Sequence, residues 1–357
     1  MSGTIFILGA GASKRAGAPL MADFLDVAHN LWKTGQAKAA ESDFAAVFSA
    51  ISALQAVHSK SQLDIDNVES VFATLETART LNKMPGFTSE QVDKVIESLK
   101  MVIGQTIELT LKLPVKGKLP YPPVPYGDFV ELIHYLRTEA TPKQNVSVIT
   151  FNYDLACDFA FYQNGIDVDY ALGEKAEPQA IPLLKLHGSL NWAFCPELKR
   201  VVPWKMASHF KVYHWEIWDD NHPALLQMIP HLKNFKYDGK DIVPEPVLVP
   251  PTWNKTEYHR NLSDVWSRAA AELGQADNIF IIGYSLPETD AFFKYLYALG
   301  SVGANPLKRI WVFNPDSTGF VQKRFRDLLG PAAAARFKYF EKTFQEALPH
   351  IAQAFPK

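Results

Sequence analysis

The start of the chain places a glycine turn directly after a short β-like segment. Thr4-Ile5-Phe6-Ile7-Leu8 is mostly apolar and runs into Gly9-Ala10-Gly11-Ala12-Ser13. A buried strand that ends in glycines and opens a helix is typical of α/β folds that hold a phosphate. Glycine lets the backbone come close, and the helix N-terminus favours negative charge. The same turn also joins strands to helices for packing reasons alone, so both interpretations stay open.

Four later segments also place polar or glycine residues after an apolar run. They are Thr150-Phe151-Asn152-Tyr153-Asp154, Leu186-His187-Gly188-Ser189, Gly283-Tyr284-Ser285-Leu286-Pro287 and the strand that ends at Asn314. The carboxyl ends of parallel strands meet at one edge of a sheet. We therefore expect the first glycine turn and the segments 150–154 and 186–189 to come together in a site that binds a dinucleotide and acts on it chemically. The other two segments add a further glycine turn and an Asn at strand ends.

Each of these residues also has a purely structural interpretation. Asn152 and Asp154 fit Asx turns at a strand-to-helix corner, and Asn314 fits a simple turn. His187 could be a buried histidine whose hydrogen bonds are satisfied, although Gly188 after it indicates a tight backbone with an exposed imidazole. Gly283 could belong to an ordinary strand-to-helix turn. Only the combination favours a site.

The turn does not match two well-known phosphate-binding motifs. Lys14 stands where a dehydrogenase fingerprint has its third glycine, and no second strand follows within about 30 residues to supply the acidic residue of that fingerprint. The Lys-Ser/Thr pair of a P-loop is also missing after the turn. The motif therefore argues against a Rossmann dehydrogenase and against a P-loop enzyme.

Composition excludes several other classes. The chain has 357 residues, 47% of them apolar, enough for one large domain or two smaller ones. Its net charge of −2 favours neither a nucleic-acid nor a membrane partner. The two cysteines, Cys157 and Cys195, cannot form a four-cysteine zinc site, and we expect no metal. Without a basic n-region or a spanning apolar run, the sequence predicts a soluble, cytoplasmic protein.

Hydrophobic periodicity predicts an α/β fold: a Rossmann-like parallel sheet with a large helical insertion. Residues 1–20 and 141–357 are expected to form the core, with an irregular insertion at about 190–260. Apolar residues recur at three- and four-residue steps through residues 21–140, which predicts amphipathic helices. Strands are predicted at 4–8, 146–151, 168–170, 182–186, 279–283 and 309–314, and residues 318–353 are predicted to be helical.

Taken in order, the motifs GAGAS, TFNYD, LHGSL and GYSLPETD and the strand ending at Asn314 resemble the sirtuin superfamily. Ala16-Gly17-Ala18-Pro19 is similar to the small-residue loop after the first turn of that family. Sirtuin deacylases carry a four-cysteine zinc module, which this chain cannot supply. That difference and the large helical insertion resemble the sirtuin-like NAD hydrolases of bacterial antiphage defence. Asp66-Asn67-Val68-Glu69 fits that branch loosely, and no role is assigned to it.

The resemblance implies NAD as substrate, with cleavage of the nicotinamide–ribose bond to give nicotinamide and ADP-ribose. It implies that Asn152 orients water or the ribose, that His187 is the general base, and that Asp154 supports the loop or holds the ribose. The remaining implied contacts are to the pyrophosphate from Gly9, Gly11, Ala12 and Ser13, and to the adenosine half from Gly283, Ser285 and Asn314.

Two other functions remain open, an NAD-dependent protein deacylase and a non-catalytic nucleotide sensor. The missing zinc module disfavours the deacylase, and the presence of both Asn152 and His187 disfavours the sensor. The resemblance further implies depletion of cellular NAD during infection. It also implies a homo-oligomer and a partner such as a HerA-type ATPase or another defence protein.

Overall fold

A seven-stranded, entirely parallel sheet forms the centre of the computed structural model. The structure describes residues 2–55, 63–212, 218–249, 261–287, 290–303 and 307–357. The sheet strands, in chain order, are β1 (Ser2–Leu8), β2 (Gln144–Thr150), β3 (Val168–Asp169), β4 (Ile181–Lys185), β5 (Ala276–Ile282), β6 (Arg309–Phe313) and β7 (Phe337–Phe340). Their spatial order is β7-β6-β5-β1-β2-β4-β3.

Helices account for most of the remaining regular structure. They are α1 (Ala10–Ser13), α2 (Phe24–Lys33), α3 (Glu41–Gln55), α4 (Val68–Leu81), α5 (Ser89–Thr110), α6 (Tyr126–Thr138), α7 (Ala156–Gln163), α8 (Met206–Val212), α9 (Ile229–Leu232), α10 (Ser263–Gln275), α11 (Ala291–Gly300), α12 (Phe320–Leu328), α13 (Pro331–Ala334) and α14 (Phe344–Ala352). None of the helices described is long and apolar enough to cross a membrane.

The order of the strands determines where a ligand can bind. From β1 the chain reaches β2 on one side, and it later returns to β5 on the other side of β1. This reversal creates a crevice outside the carboxyl ends of the central strands, the usual ligand position in open α/β sheets. All seven residues of β5 are buried, as expected for a parallel strand covered on both faces. The predicted α/β, Rossmann-like fold class is confirmed.

Helices α2 to α5 pack around a second hydrophobic core, which includes Val47, Phe72 and Leu99. Trp204 and Met228, from the later part of the chain, belong to the same core. The helix α6 instead packs on the main sheet through Tyr126 and Phe129, although it lies within the predicted 21–140 insertion. The division into an insertion and a core stays a prediction, with α6 on the side of the sheet.

The prediction of continuous helix over residues 318–353 was wrong in one part. Phe337–Phe340 forms β7, the edge strand of the sheet, between α13 and α14. Its residues are only partly buried, so it lacks the apolar run that marks a covered parallel strand. Where described, residues 190–260 contain the short helices α8 and α9 and short antiparallel pairs such as Trp192–Cys195 with Arg200–Pro203. The irregular insertion at about 190–260 stays a prediction. Residues 213–217 and 250–260 of that segment lie outside the described part.

Candidate active site

Five neighbouring strands open onto one cavity of about 520 Å³ at their carboxyl ends. Gly11 follows β1, Asn152 follows β2, His187 follows β4, Gly283 follows β5 and Asn314 follows β6, and all five line the cavity. Ala12, Asp154 and Ser285 line it too. Gly9 and Ser13, predicted to touch the pyrophosphate, do not line the cavity.

The glycines of the first turn allow two loops to interlock. Gly9 donates its N–H to the carbonyl of Ile282 at 3.1 Å, and Gly11 donates to that of Gly283 at 2.9 Å. A Cβ at Gly9 would lie 2.5 Å from Tyr284 Cα, closer than real contacts allow. The N–H of Ala12 is also used, by the carbonyl of Gly9 at 2.9 Å. The N–H groups of these three residues, which are expected to bind the pyrophosphate, thus already donate hydrogen bonds to backbone carbonyls of the protein.

Ser13 organises the polar residues behind the cavity wall. Its side chain is fully buried, and its Oγ lies 2.7 Å from Asp154 Oδ2 and 2.7 Å from the hydroxyl of Tyr126. The single Ser13 proton is donated to the carboxylate, so the Tyr126 hydroxyl donates to Ser13 Oγ. Ser13 therefore joins the turn after β1 to the loop after β2, and its contact to the pyrophosphate stays a prediction.

Asn152 is held with a defined amide orientation. Its Nδ2 donates to the carbonyl of Gly9 at 3.0 Å and to Ser13 Oγ at 3.2 Å. A backbone carbonyl can only accept, so the nitrogen must face Gly9. Both Nδ2 hydrogens are used, and the Oδ1 of Asn152 is left as the acceptor that this side chain can offer to a ligand.

Asp154 supports the loop that carries Asn152. Its Oδ1 accepts the N–H of Ala156 at 3.0 Å, and its carbonyl accepts Lys185 Nζ at 2.7 Å. Burial raises the pKa of the Asp154 carboxyl, and this outweighs the lowering by Lys185 and by the hydrogen bond from Ser13. These contacts hold the loop after β2, and the two predicted roles of Asp154, loop support and a ribose contact, stay predictions.

The imidazole of His187 lies beside a second carboxylate, that of Asp290. His187 Nε2 is 3.3 Å from Asp290 Oδ1, and both side chains are about 5% exposed. Tyr284 donates its hydroxyl to Asp290 Oδ2 at 3.0 Å, which holds the carboxylate in place. Asp290 was not among the predicted site residues, although it ends the GYSLPETD motif. A carboxylate at the start of a helix, here α11, is too common in sequences to have identified Asp290 as a site residue.

Backbone geometry fixes the position of His187. Its carbonyl accepts the N–H of Val249 at 2.8 Å. Gly188 has φ of +84°, and a Cβ there would lie 2.0 Å from the carbonyl oxygen of Val247. Only glycine fits this close approach. The ring of Phe151 meets the imidazole edge-on, with centroids 5.2 Å apart.

The predicted adenosine contacts differ in their freedom to bind a ligand. Ser285 is exposed at the cavity. The Oδ1 of Asn314 accepts the N–H of Asp316 at 3.0 Å, which is an Asx turn, the structural alternative foreseen for this residue. The structure also adds basic residues that the sequence did not single out, since Lys14, Arg15 and Lys342 line the same cavity.

Helices of the predicted insertion close the cavity from the other side. Phe24, Asn67, Glu69 and Ile107 line it. Within the described residues no group of three or more His, Cys, Asp or Glu side chains could hold a metal ion. Cys157 and Cys195 are both buried free thiols.

No family model and no curated protein matches this chain. Among solved structures, it is similar to a Sir2 homologue in complex with NAD, with 15% identity, a TM-score of 0.43 and coverage of 98% of this chain and 88% of that chain. A Sir2 homologue mutant in complex with ADP-ribose shares 15% identity with this chain, with a TM-score of 0.43 and coverage of 98% of this chain and 90% of that chain. A structure of Sir2 with p53 peptide and NAD⁺ shares 11% identity with this chain, with a TM-score of 0.39 and coverage of 99% of this chain and 92% of that chain. At these values the functional argument rests on the geometry of the site itself.

Proposed function

We propose that this protein is an NAD hydrolase that cleaves the bond between nicotinamide and ribose C1′, giving nicotinamide and ADP-ribose. One observation carries the proposal. Asn152, with a defined acceptor, and His187, with a carboxylate partner, line the same cavity at the carboxyl edge of a parallel sheet. The cavity lies within the size range of sites that bind small molecules and cofactors.

The proposed chemistry needs a base and a positioned nucleophile. The C1′–N bond breaks with its electron pair leaving on nicotinamide, and a water oxygen attacks C1′. Oδ1 of Asn152 accepts a hydrogen bond from that water or from a ribose hydroxyl. Asp290 beside Nε2 orients the imidazole and stabilises the imidazolium that forms when His187 takes the proton of the water.

The first test is release of nicotinamide from NAD by the purified protein. We expect His187→Ala and Asn152→Ala each to lower turnover by about 10² to 10⁴-fold, the usual contribution of a positioned catalytic group. His134→Ala and Asn145→Ala are matched controls, since both residues are exposed and outside the cavity. Circular dichroism and thermal melting of each variant check that the fold is retained.

Other results would point to other functions. Turnover near the wild-type rate in either site variant would contradict the assignment of these residues. NAD binding by the wild type without release would contradict the proposal for the isolated chain. Adding acyl-lysine peptide would then distinguish a deacylase from a sensor, and adding a candidate partner would reveal an inhibited hydrolase.

A role in antiphage defence, assembly into a homo-oligomer and a HerA-type partner stay predictions from the sequence resemblance. The cellular test is phage challenge of bacteria that express the wild type or His187→Ala. We expect NAD to fall on infection only with the wild type. Equal protection by the wild type and by His187→Ala would show that any role in defence does not depend on NAD cleavage.

A further inference from the structure

The charges around the cavity are not evenly distributed. Lys14, Arg15 and Lys342 are basic residues that line it, and the first two are exposed. The carboxylates of Glu69 and Asp290 also line it but are buried, with Glu69 8% and Asp290 4% exposed. The cavity therefore has exposed cationic groups and a buried anionic region beside His187.

Glu69 reaches the cavity from the first turn of α4. The N-cap residue Asn67 accepts the backbone N–H of Glu69 through its Oδ1 at 2.8 Å, which fixes the start of the helix. This arrangement explains how a segment of the predicted helical insertion supplies a cavity residue. The insertion thus contributes a charged group, besides apolar residues such as Phe24 and Ile107, to the wall of the site.

Two tyrosines, Tyr153 and Tyr284, line the cavity together with Glu69 and lie beside the reacting region. The Tyr153 ring lies 6.2 Å from the His187 ring, and the Tyr284 hydroxyl is bonded to Asp290. Burial is the main cause of the raised pKa of both phenols, and the negative charge of Glu69 raises both further. Glu69, His187 and Asp290 all line this one cavity, so the Glu69 carboxylate shares the space in which the proposed reaction takes place.

We propose that Glu69 is a substrate-contacting residue whose negative charge faces the nicotinamide ribose and selects a cationic ring there. This inference rests on the proposed function. The nicotinamide of NAD⁺ is cationic, and positive charge moves onto the ribose as the C1′–N bond breaks. A buried carboxylate that faces the ribose stabilises the cationic ring, and it stabilises more strongly the charge that reaches the ribose in the transition state, whereas the basic residues Lys14, Arg15 and Lys342 suit the pyrophosphate.

The test separates binding from turnover. Glu69→Gln keeps the size and hydrogen-bonding capacity of the side chain and removes its charge. We expect kcat to fall at least about tenfold, because one preorganised electrostatic contact is lost. We also expect the ratio of NADH to NAD⁺ dissociation constants to fall by a similar factor, measured in a His187→Ala background that prevents turnover. Affinity for ADP-ribose, which lacks the nicotinamide, should stay within about twofold, since the contacts to the rest of the molecule are unchanged.

Glu76→Gln is the matched control, since Glu76 is a buried glutamate on the same helix that does not line the cavity. Unchanged kcat and unchanged NAD⁺ preference in Glu69→Gln, with an active wild type, would overturn this inference and leave the proposed function standing. A wild type that binds NAD⁺ without cleaving it would contradict the hydrolase, while the NADH-to-NAD⁺ ratio would still test Glu69. A wild type that binds neither nucleotide would contradict both.

Discussion

At the scale of single residues, the site depends on pairs that orient each other. His187 lies against Asp290, and Asn152 is held by Gly9 and by Ser13. Each catalytic candidate therefore has a polar partner that orients its side chain. This arrangement is typical of active sites, where the second group holds the tautomer or amide orientation that the chemistry needs.

Asp290 is the partner whose replacement gives the most direct test at this scale. Asp290→Asn keeps the shape of the side chain but can donate a hydrogen bond to Nε2, which favours the wrong tautomer of His187. We expect kcat to fall by about 10²-fold or more while NAD affinity changes little. Steady-state kinetics measured across pH would show this fall in kcat. They would also show a shift in the acidic limb of the pH–rate profile, because that limb reports the pKa of the catalytic base. An unchanged profile would mean that Asp290 has only a structural role.

At the scale of elements, the site is held by the interlocking of the turns after β1 and β5. Gly283 has φ of +64°, and a Cβ there would lie 2.4 Å from the backbone nitrogen of Ala12. Beneath the loop after β2, the buried Lys185 pairs with Asp158 at 2.9 Å and also binds the carbonyl of Asp154. Both interactions set the distances between strand ends.

Gly283→Ala should destabilise the protein more than a positive φ alone explains. The matched control is Gly239→Ala, because Gly239 has φ of +78° with open space around the position of its Cβ. We expect the control to cost about 1 kcal/mol for left-handed backbone. We expect Gly283→Ala to cost about 1–3 kcal/mol more, since backbone must shift, and to lower activity. Denaturant unfolding measures both, and equal losses would contradict the interlocked-turn argument.

At the scale of the whole molecule, the helical layer and the sheet share the cavity, and buried polar contacts join α5 to the start of α9. Glu108 on α5 accepts the N–H groups of Met228 at 2.6 Å and Ile229 at 2.9 Å with its Oε1. Its Oε2 has no hydrogen-bond partner among the described residues, and the side chain is buried. Burial raises the pKa of Glu108 to about 8, so the folded protein holds this carboxyl protonated at neutral pH.

This raised pKa predicts how stability depends on pH. The folded state keeps a proton that the unfolded state releases above its ordinary pKa of 4.5. The contribution of Glu108 is therefore complete below pH 4.5 and is lost as pH rises towards about 8. Glu108→Gln keeps a side-chain oxygen that can accept the N–H groups of Met228 and Ile229, but it does not titrate in this range. We therefore expect its stability to depend less on pH.

Thermal melting across that pH range, with the exposed Glu97→Gln as control, checks the prediction. The wild type should lose stability relative to Glu108→Gln as pH rises, and the control should follow the wild type. Parallel pH profiles for the wild type and Glu108→Gln would contradict a protonated Glu108 in the folded state.

The sequence by itself determined the parts of this protein that local patterns encode. Short apolar runs marked the five central strands β1, β2, β4, β5 and β6, because a parallel strand covered on both faces needs them. The edge strand β3 was predicted as well, near 168–170. The residues after those runs, including Asn152 and His187, were predicted to meet because strand carboxyl ends converge at one edge. The glycines of the two turns were visible because such close backbone approach excludes other residues.

Only the tertiary structure decided which groups face each other. Asp290 and Glu69 come from segments distant from His187 in the chain, and no local pattern reports which distant side chains share a cavity. The burial of Ser13 against Asp154 depends on how β1 and β2 align. The edge strand β7 escaped prediction because partial exposure removes the apolar run. Local periodicity follows backbone geometry and burial, whereas side-chain partners follow from topology.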